Sequence, residues 1–189
     1  MISYTLAFIG FLPGMLILSE PVWTIFPGSE GGIEVLMGLG FILLSLILLK
    51  LTKNRGFLWL VTGVYVFALL YFTLLTRHPM SESVTLLTPF ATIRNAISWG
   101  DSGIIIKSWI NFYALIANIL LFMPAGYLLP KLFSRTRHWY ITIPVGLFIS
   151  AFIEVTQLLT KLGCFDVDDL IANTLGAALG YLIYRTLLK

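Results

Sequence analysis

Long apolar segments separated by short polar connections occupy most of the chain. A helix needs roughly 20 apolar residues to cross the hydrocarbon core of a membrane, and six segments meet or approach this length. They run Ile2–Ser19, Ile33–Leu51, Phe57–Thr76, Trp109–Leu129, Trp139–Leu159 and Asp169–Leu187. The pattern predicts an all-α, polytopic transmembrane helix bundle of about six spans. The first segment lacks a basic start and a small-residue cleavage site, so we expect a membrane helix and not a signal peptide.

The longest connection, Arg77–Ser108, contains a stretch that is itself typical of a helix. Pro89–Trp99 begins at a proline and carries apolar residues toward one side. We expect a short interfacial helix that lies at the membrane surface, because amphipathic helices bury their apolar face there. A plain exposed loop is the alternative.

Basic residues concentrate in the connections on one side of the predicted bundle. They are Lys50, Lys53, Arg55, Lys131, Arg135, Arg137, Arg185 and Lys189. Short cytoplasmic loops carry an excess of Lys and Arg, so we expect this side, with both termini, to be cytoplasmic. The acidic residues lie on or near the opposite, outer side.

Composition agrees with a membrane environment. The chain is 58% hydrophobic and only 11% charged, whereas soluble domains carry about 25% charged residues. We therefore expect membrane lipids to cover most of the surface. The chain has no basic stripe with interleaved aromatic residues, which argues against a nucleic-acid partner. Its single cysteine, Cys164, excludes an intramolecular disulfide.

The fifth predicted span has one polar face. Gly146, Ser150, Glu154, Gln157 and Lys161 follow each other at spacings of 4, 4, 3 and 4 residues, which place them on the same side of a helix. An ionisable group inside a span costs a few kcal/mol. Glu154 therefore needs a partner or an aqueous cavity, and it is either part of a functional site or a hydrogen-bonded acid that joins helices.

The sixth predicted span has a similar face, formed by Asp169, Asn173, Gly176 and Gly180. The glycines are typical of close helix packing. The connection to the fifth span is short, so the two helices should be antiparallel neighbours. Asn173 is then a candidate to meet Glu154 or Gln157.

Charged and amide groups near the outer end complete the candidate site. Asp166, Asp168 and Asp169 either bind a divalent cation through clustered oxygens or cap the sixth helix. Asn118 lies in the outer half of the fourth span. Arg77 and Arg94 are candidates to pair with a buried carboxylate or to bind a phosphate, although Arg77 at the interface could also simply extend toward water.

Four sequence blocks resemble the VanZ-like family in type and order. The blocks are Thr88–Ile93, Asn118–Pro124 with Gly126, Glu154–Gln157, and Phe165–Gly176. The resemblance runs from about Arg77 to Tyr184. It implies two parts: residues 1–56, a two-helix N-terminal extension, and residues 57–189, a VanZ-like four-helix membrane core.

The resemblance implies a multi-pass protein of the bacterial cell membrane that contributes to resistance against glycopeptides such as teicoplanin. We expect it to act at the outer face on a polyprenyl-linked envelope precursor or a lipoglycopeptide. Glu154, Asp169 and Gln157 are then the candidate catalytic residues. The candidate substrate-binding residues are Arg77, Arg94, Asn118 and Asn173, and the candidate metal ligands are Asp166 and Asp168.

The sequence leaves open whether any reaction occurs, since the resemblance supplies none. A non-catalytic factor that limits antibiotic access is one alternative. A lipid flippase or transporter is another, and it requires a polar path into the cytoplasmic half. The sequence offers little for such a path beyond Ser45, Thr62 and the helix near Pro124.

Overall fold

The computed structural model describes residues 54–75, 79–91, 94 and 104–187. The first two predicted spans and Arg77 lie outside the described residues, as does most of the predicted interfacial helix Pro89–Trp99. The side chains of residues 104–113 are also outside them.

The described chain is helical, which confirms the all-α prediction. Its helices are α1 (Arg55–Leu70), α2 (Ile104–Leu132), α3 (Trp139–Thr160) and α4 (Val167–Leu187). A π turn, Tyr71–Leu75, follows α1, and a 3₁₀ helix, Ser134–Arg137, joins α2 to α3. Two short strands, β1 (Thr85–Leu86) and β2 (Phe165–Asp166), pair in parallel.

Local signals set the ends of two helices. The side chain of Asn54 accepts a hydrogen bond from the Phe57 N–H at 3.2 Å, which satisfies one free donor at the start of α1. Lys161 ends α3 in the left-handed conformation, with φ of 58°. The Leu162 N–H then bonds back to the Gln157 carbonyl at 2.9 Å, the arrangement of a Schellman motif.

Helix α2 passes through the middle of the bundle and continues across Pro124 and Pro130. Proline removes a backbone donor inside a helix, and neighbouring side chains donate to carbonyls near both prolines. The Tyr65 hydroxyl bonds to the Leu121 carbonyl at 3.0 Å, and the Thr136 hydroxyl bonds to the Leu129 carbonyl at 2.7 Å. These bonds hold α2 to α1 and to the following 3₁₀ helix.

Helices α2 and α4 are parallel and touch through their backbones. A Cβ atom built on Gly126 would lie 1.9 Å from the Ala177 carbonyl oxygen. A Cβ on Gly180 would lie 1.9 Å from the Met123 oxygen, and one on Gly176 would lie 2.1 Å from the Ile119 oxygen. Such contact is possible only without side chains, so Gly176 and Gly180 serve packing as predicted, and Gly126 also does so.

Helix α3 runs antiparallel to α4, as the short connection predicted. Ser150 on α3 bonds to Asn173 on α4. Gly146, four residues before Ser150, faces Ala177, four residues after Asn173, so the two helices run in opposite directions. The opposite face of α3 is apolar and exposed: Phe148, Phe152 and Leu159 are 73%, 69% and 77% exposed. A large exposed apolar face suits a lipid environment.

The predicted count of six spans is not supported. Within the described ranges, two helical segments are long and apolar enough to cross a membrane, Ala114–Leu132 and Trp139–Thr160. Helix α1 is apolar but shorter before its π turn. Helix α4 is not one of the two long apolar segments, and its sequence includes Asp168, Asp169 and Asn173.

Candidate functional site

Polar side chains from α2, α3, β2 and α4 gather at one end of the bundle. We call them the polar cluster: Asn118, Ser150, Glu154, Gln157, Asp166, Asp168, Asp169 and Asn173. Glu154, Gln157 and Asp168 are each only 2% exposed, and Asn173 is 4% exposed. The cluster includes seven of the nine predicted site residues.

Glu154 lies on α3 and faces the connection to α4. Its Oε2 accepts a hydrogen bond from the Asp166 N–H at 3.0 Å. This contact gives the buried carboxyl group one of the partners that its burial requires. It also holds β2 against the last turns of α3.

The carboxyl groups at the start of α4 bond to backbone donors. Asp166 accepts from the Asp168 N–H at 2.8 Å, the geometry of a residue that caps a helix. Burial raises the pKa of Asp166, and the hydrogen bond from Asp168 opposes that rise. Asp168 accepts from the Phe90 N–H at 2.5 Å.

Asp166 therefore acts as a cap of α4, one of the two predicted roles of these carboxyl groups. Asp166 and Asp168 each accept from a different backbone N–H, and of these two bonds the one to Asp166 caps α4. Among the described residues, no group of three or more His, Cys, Asp and Glu side chains is placed to hold a metal. Cation binding by Asp166 and Asp168 stays a prediction.

Two amide side chains join helices. Asn118 on α2 donates from Nδ2 to Asp169 Oδ1 on α4 at 2.6 Å. Gln157 on α3 donates from Nε2 to the Thr73 carbonyl of the π turn at 2.9 Å. The predicted catalytic residues Asp169 and Gln157 thus form hydrogen bonds that connect different secondary-structure elements.

Asn173 was predicted to meet Glu154 or Gln157, and this partner was wrong. Its Nδ2 donates to Ser150 Oγ at 2.9 Å, because the antiparallel register places Asn173 level with the turn before Glu154. Its buried Oδ1 has no hydrogen-bond partner among the described residues. Ser150, which is fully buried, was on the predicted polar face but was not singled out as a site residue.

A segment that we call the strap, residues 79–91, lies across this end of the bundle. The Met80 N–H bonds to the Lys161 carbonyl at 2.7 Å, and the Phe165 N–H bonds to the Val84 carbonyl at 3.0 Å. Phe90 has a φ of 61°, which is uncommon for a bulky residue, and Asp168 holds its N–H. No sequence pattern indicated this backbone contact.

Of the two predicted arginines, Arg94 is the one described. Its side chain is exposed, and its N–H bonds to the Phe90 carbonyl at 2.9 Å. It lies just beyond the strap. Its predicted role toward a phosphate stays a prediction.

Comparison with known proteins gives a family match over most of the chain. A family model described as VanZ/LLP1 matches residues 41–188, a range that begins inside the second predicted span. The chain is also 32% identical over 74 residues to Protein VanZ of Enterococcus faecium. That alignment covers 39% of this chain and 45% of that protein, less than half its length. No solved structure matches the chain.

Proposed function

The chain belongs to the VanZ/LLP1 family, and on this premise we propose that it contributes to glycopeptide resistance of the teicoplanin type. Its family is membrane-associated, and the exposed apolar face of α3 suits that location. In this proposal the chain is a multi-pass protein with cytoplasmic termini. The polar cluster is at the outer face and binds a lipid-linked envelope intermediate or a lipidated glycopeptide.

The observation that carries this proposal is the buried Asn173 carboxamide on the same helix pair as Glu154. An acceptor that is buried without a donor costs about 1–3 kcal/mol, and Asn173 Oδ1 is such an acceptor among the described residues. Sugars and peptides carry many N–H and O–H donors, so either can satisfy it. Glu154, one turn from Ser150, then accepts a proton or a hydrogen bond from the same molecule.

The other cluster residues position these two groups. The Asn118–Asp169 bond fixes α2 against α4, and Gln157 fixes α3 against the π turn. The strap covers this end and is held by Asp168. Entry of a ligand therefore requires release of the strap, and a general-base role for Glu154 would operate only after that release.

Replacing Glu154 by Gln tests the proposal in cells. The variant keeps the size of the side chain and loses its ability to ionise. We expect teicoplanin resistance to fall to the level of cells without the protein, while the amount in the membrane and the unfolding temperature stay near those of the unchanged chain. Thr156→Val is the matched control, because Thr156 lies two residues away and bonds only within α3. Full resistance in the Glu154→Gln strain would overturn the role of Glu154.

A non-catalytic factor that limits antibiotic access is the second candidate. It is favoured by the number of cluster side chains that bond to other parts of the protein, among them Asp166, Asp168 and Gln157. Under this candidate, changes at Glu154 and Asn173 lower the unfolding temperature and the membrane level in proportion to the lost resistance. Loss of resistance at normal stability excludes it.

A flippase draws less support. Such a function needs a polar route through the bundle, and the interior of α2 from Phe122 to Leu128 is buried. Backbone contact between α2 and α4 at Gly126 and Gly180 leaves no space for a substrate between these two helices.

A further inference from the structure

A basic cleft lies at the end of the bundle opposite the polar cluster. It has a volume of about 740 Å³ and is formed by the start of α1, the end of α2 and the 3₁₀ helix. Four of its eight described lining residues are basic and none is acidic: Arg55, Lys131, Arg135 and Arg137. Asn118 and Lys131 are 13 residues apart on α2, so about 20 Å separates the two ends.

Two of these cations are fixed on the walls of the cleft. Arg55 donates from Nη2 to the Leu132 carbonyl at the end of α2, at 3.1 Å. The Lys131 ammonium lies 5.5 Å from the centre of the Tyr127 ring and 3.5 Å from its hydroxyl oxygen. Folding therefore holds these charges in place before any ligand binds, which lowers the entropic cost of binding.

The other two cations are presented by the 3₁₀ helix. Thr136 is 8% exposed, whereas its neighbours Arg135 and Arg137 are both exposed. The Thr136 hydroxyl donates to the Leu129 carbonyl, and the Thr142 hydroxyl donates to the Thr136 carbonyl. Anchoring of the central threonine directs both arginines outward, and neither guanidinium bonds to another described residue.

Aromatic residues indicate the depth of the cleft in the membrane. Trp59 is 48% exposed, and its ring meets Phe133, a lining residue, edge to face at 5.5 Å. Trp139 and Tyr140 follow the 3₁₀ helix and are 62% and 57% exposed. Exposed Trp and Tyr concentrate where the hydrocarbon meets the headgroups, so the cleft opens at headgroup level.

From this combination we propose that the basic cleft binds the phosphate headgroup of an anionic membrane lipid. Guanidinium groups match phosphate oxygens in a two-point contact. The acyl chains would lie along Trp59 and Phe133, which favours a lipid over a soluble phosphate. The site is separate from the polar cluster and does not depend on the proposed role in resistance.

Native mass spectrometry of the purified full chain in detergent tests this site. The protein is offered equal amounts of phosphatidylglycerol and phosphatidylcholine with identical acyl chains. We expect bound phosphatidylglycerol to exceed bound phosphatidylcholine. Arg135→Gln and Arg137→Gln should each lower that ratio about fivefold, which corresponds to about 1 kcal/mol for the loss of one guanidinium contact with the phosphate at 25 °C.

Arg185→Gln is the matched control. Arg185 is an exposed basic residue in the last turn of α4, and it is not among the residues that line the cleft. Its replacement should leave the lipid ratio unchanged. Because a glutamine variant could fold poorly, the unchanged protein is also measured in 1 M salt, which screens charge and should remove the preference.

Three results would overturn the proposal. An equal decrease for Arg185→Gln would mean diffuse attraction without a site. Equal binding of the two lipids to the unchanged protein would mean no headgroup recognition. Displacement of phosphatidylglycerol by inorganic phosphate at the same concentration would identify a soluble phosphate, and not a lipid, as the ligand.

Discussion

Charged side chains are placed differently at the two ends of the bundle. In the polar cluster, Glu154 and Asp168 are buried and accept hydrogen bonds from backbone N–H groups. In the basic cleft, Arg135 and Arg137 are exposed and their guanidinium groups bond to no other described residue. At one end the carboxyl groups bond within the protein, whereas at the other end these two guanidinium groups are presented outward.

This difference follows from the cost of burying charge. A carboxyl group removed from water needs hydrogen-bond donors nearby, so the carboxylate end must be built from precise contacts between elements. An exposed guanidinium at headgroup level meets water and lipid phosphate and needs no such contacts. Substitutions that remove a contact should therefore affect folding at the carboxylate end, whereas substitutions of the exposed arginines should affect ligand preference at the basic end.

The largest expected effect comes from separating α2 and α4. Gly180→Ala places a methyl group 1.9 Å from the Met123 carbonyl oxygen. Because the obstacle is backbone, the helices must move apart, and we expect a loss of about 3 kcal/mol in the free energy of unfolding. Thermal and denaturant unfolding of the purified protein in detergent would measure this loss.

Gly63→Ala is the matched control, since a Cβ at Gly63 meets nothing within 4 Å. Gly63 lies inside α1, where alanine is favoured over glycine by about 0.5–1 kcal/mol. This variant should be slightly stabilised. Equal stability of the two variants would show that α2 and α4 do not touch at Gly180.

The second-largest expected effect comes from loosening the strap. Asp168→Ala removes the acceptor of the Phe90 N–H, and loss of a hydrogen bond to a carboxyl group of this kind costs about 2 kcal/mol. We expect a lower unfolding temperature and faster protease cleavage within residues 79–91. Glu82→Ala, an exposed change in the same segment, should alter neither. An unchanged cleavage rate for Asp168→Ala would show that Asp168 does not hold the strap in place.

A double-mutant cycle measures the contact between α2 and α4 at the polar cluster. Asn118 and Asp169 are joined at 2.6 Å, so Asn118→Ala and Asp169→Ala should show a coupling of about 1.5 kcal/mol in unfolding free energy. Thr186 lies at the other end of α4, so the effects of Thr186→Ala and Asn118→Ala on the free energy of unfolding should be additive. Strict additivity of the first pair would mean that the amide and the carboxyl group do not interact.

The polar face of α3 shows what the sequence could predict. Gly146, Ser150, Glu154 and Gln157 were placed on one side by their spacing alone, and these four are buried. Lys161, the fifth residue of the predicted face, is exposed and ends the helix. The predicted span Trp139–Leu159 corresponds to the helix Trp139–Thr160. Helical periodicity is local, so it predicted which residues face inward, and the short connection predicted that α3 and α4 are antiparallel.

The bonds made by those residues could not be predicted in the same way. Asn173 meets Ser150 instead of Glu154, because the partner depends on how far the two helices slide along each other. Gln157 bonds to a carbonyl of the π turn, and Asp168 bonds to the N–H of Phe90. Both partners are backbone groups whose positions are set by tertiary packing. The sequence of side chains therefore does not indicate them.

The smallest expected effect distinguishes the basic cleft from the polar cluster most directly. Arg135→Gln and Arg137→Gln should change the free energy of unfolding by less than about 0.5 kcal/mol, as exposed substitutions usually do. Thr136→Val, between them, should cost about 1 kcal/mol because the buried hydroxyl donates to the Leu129 carbonyl. Unfolding of the three variants under one condition provides the measurement. If the arginine variants lost as much stability as Thr136→Val, their guanidinium groups would be part of the packed structure, and both ends of the bundle would then use charge to hold the fold.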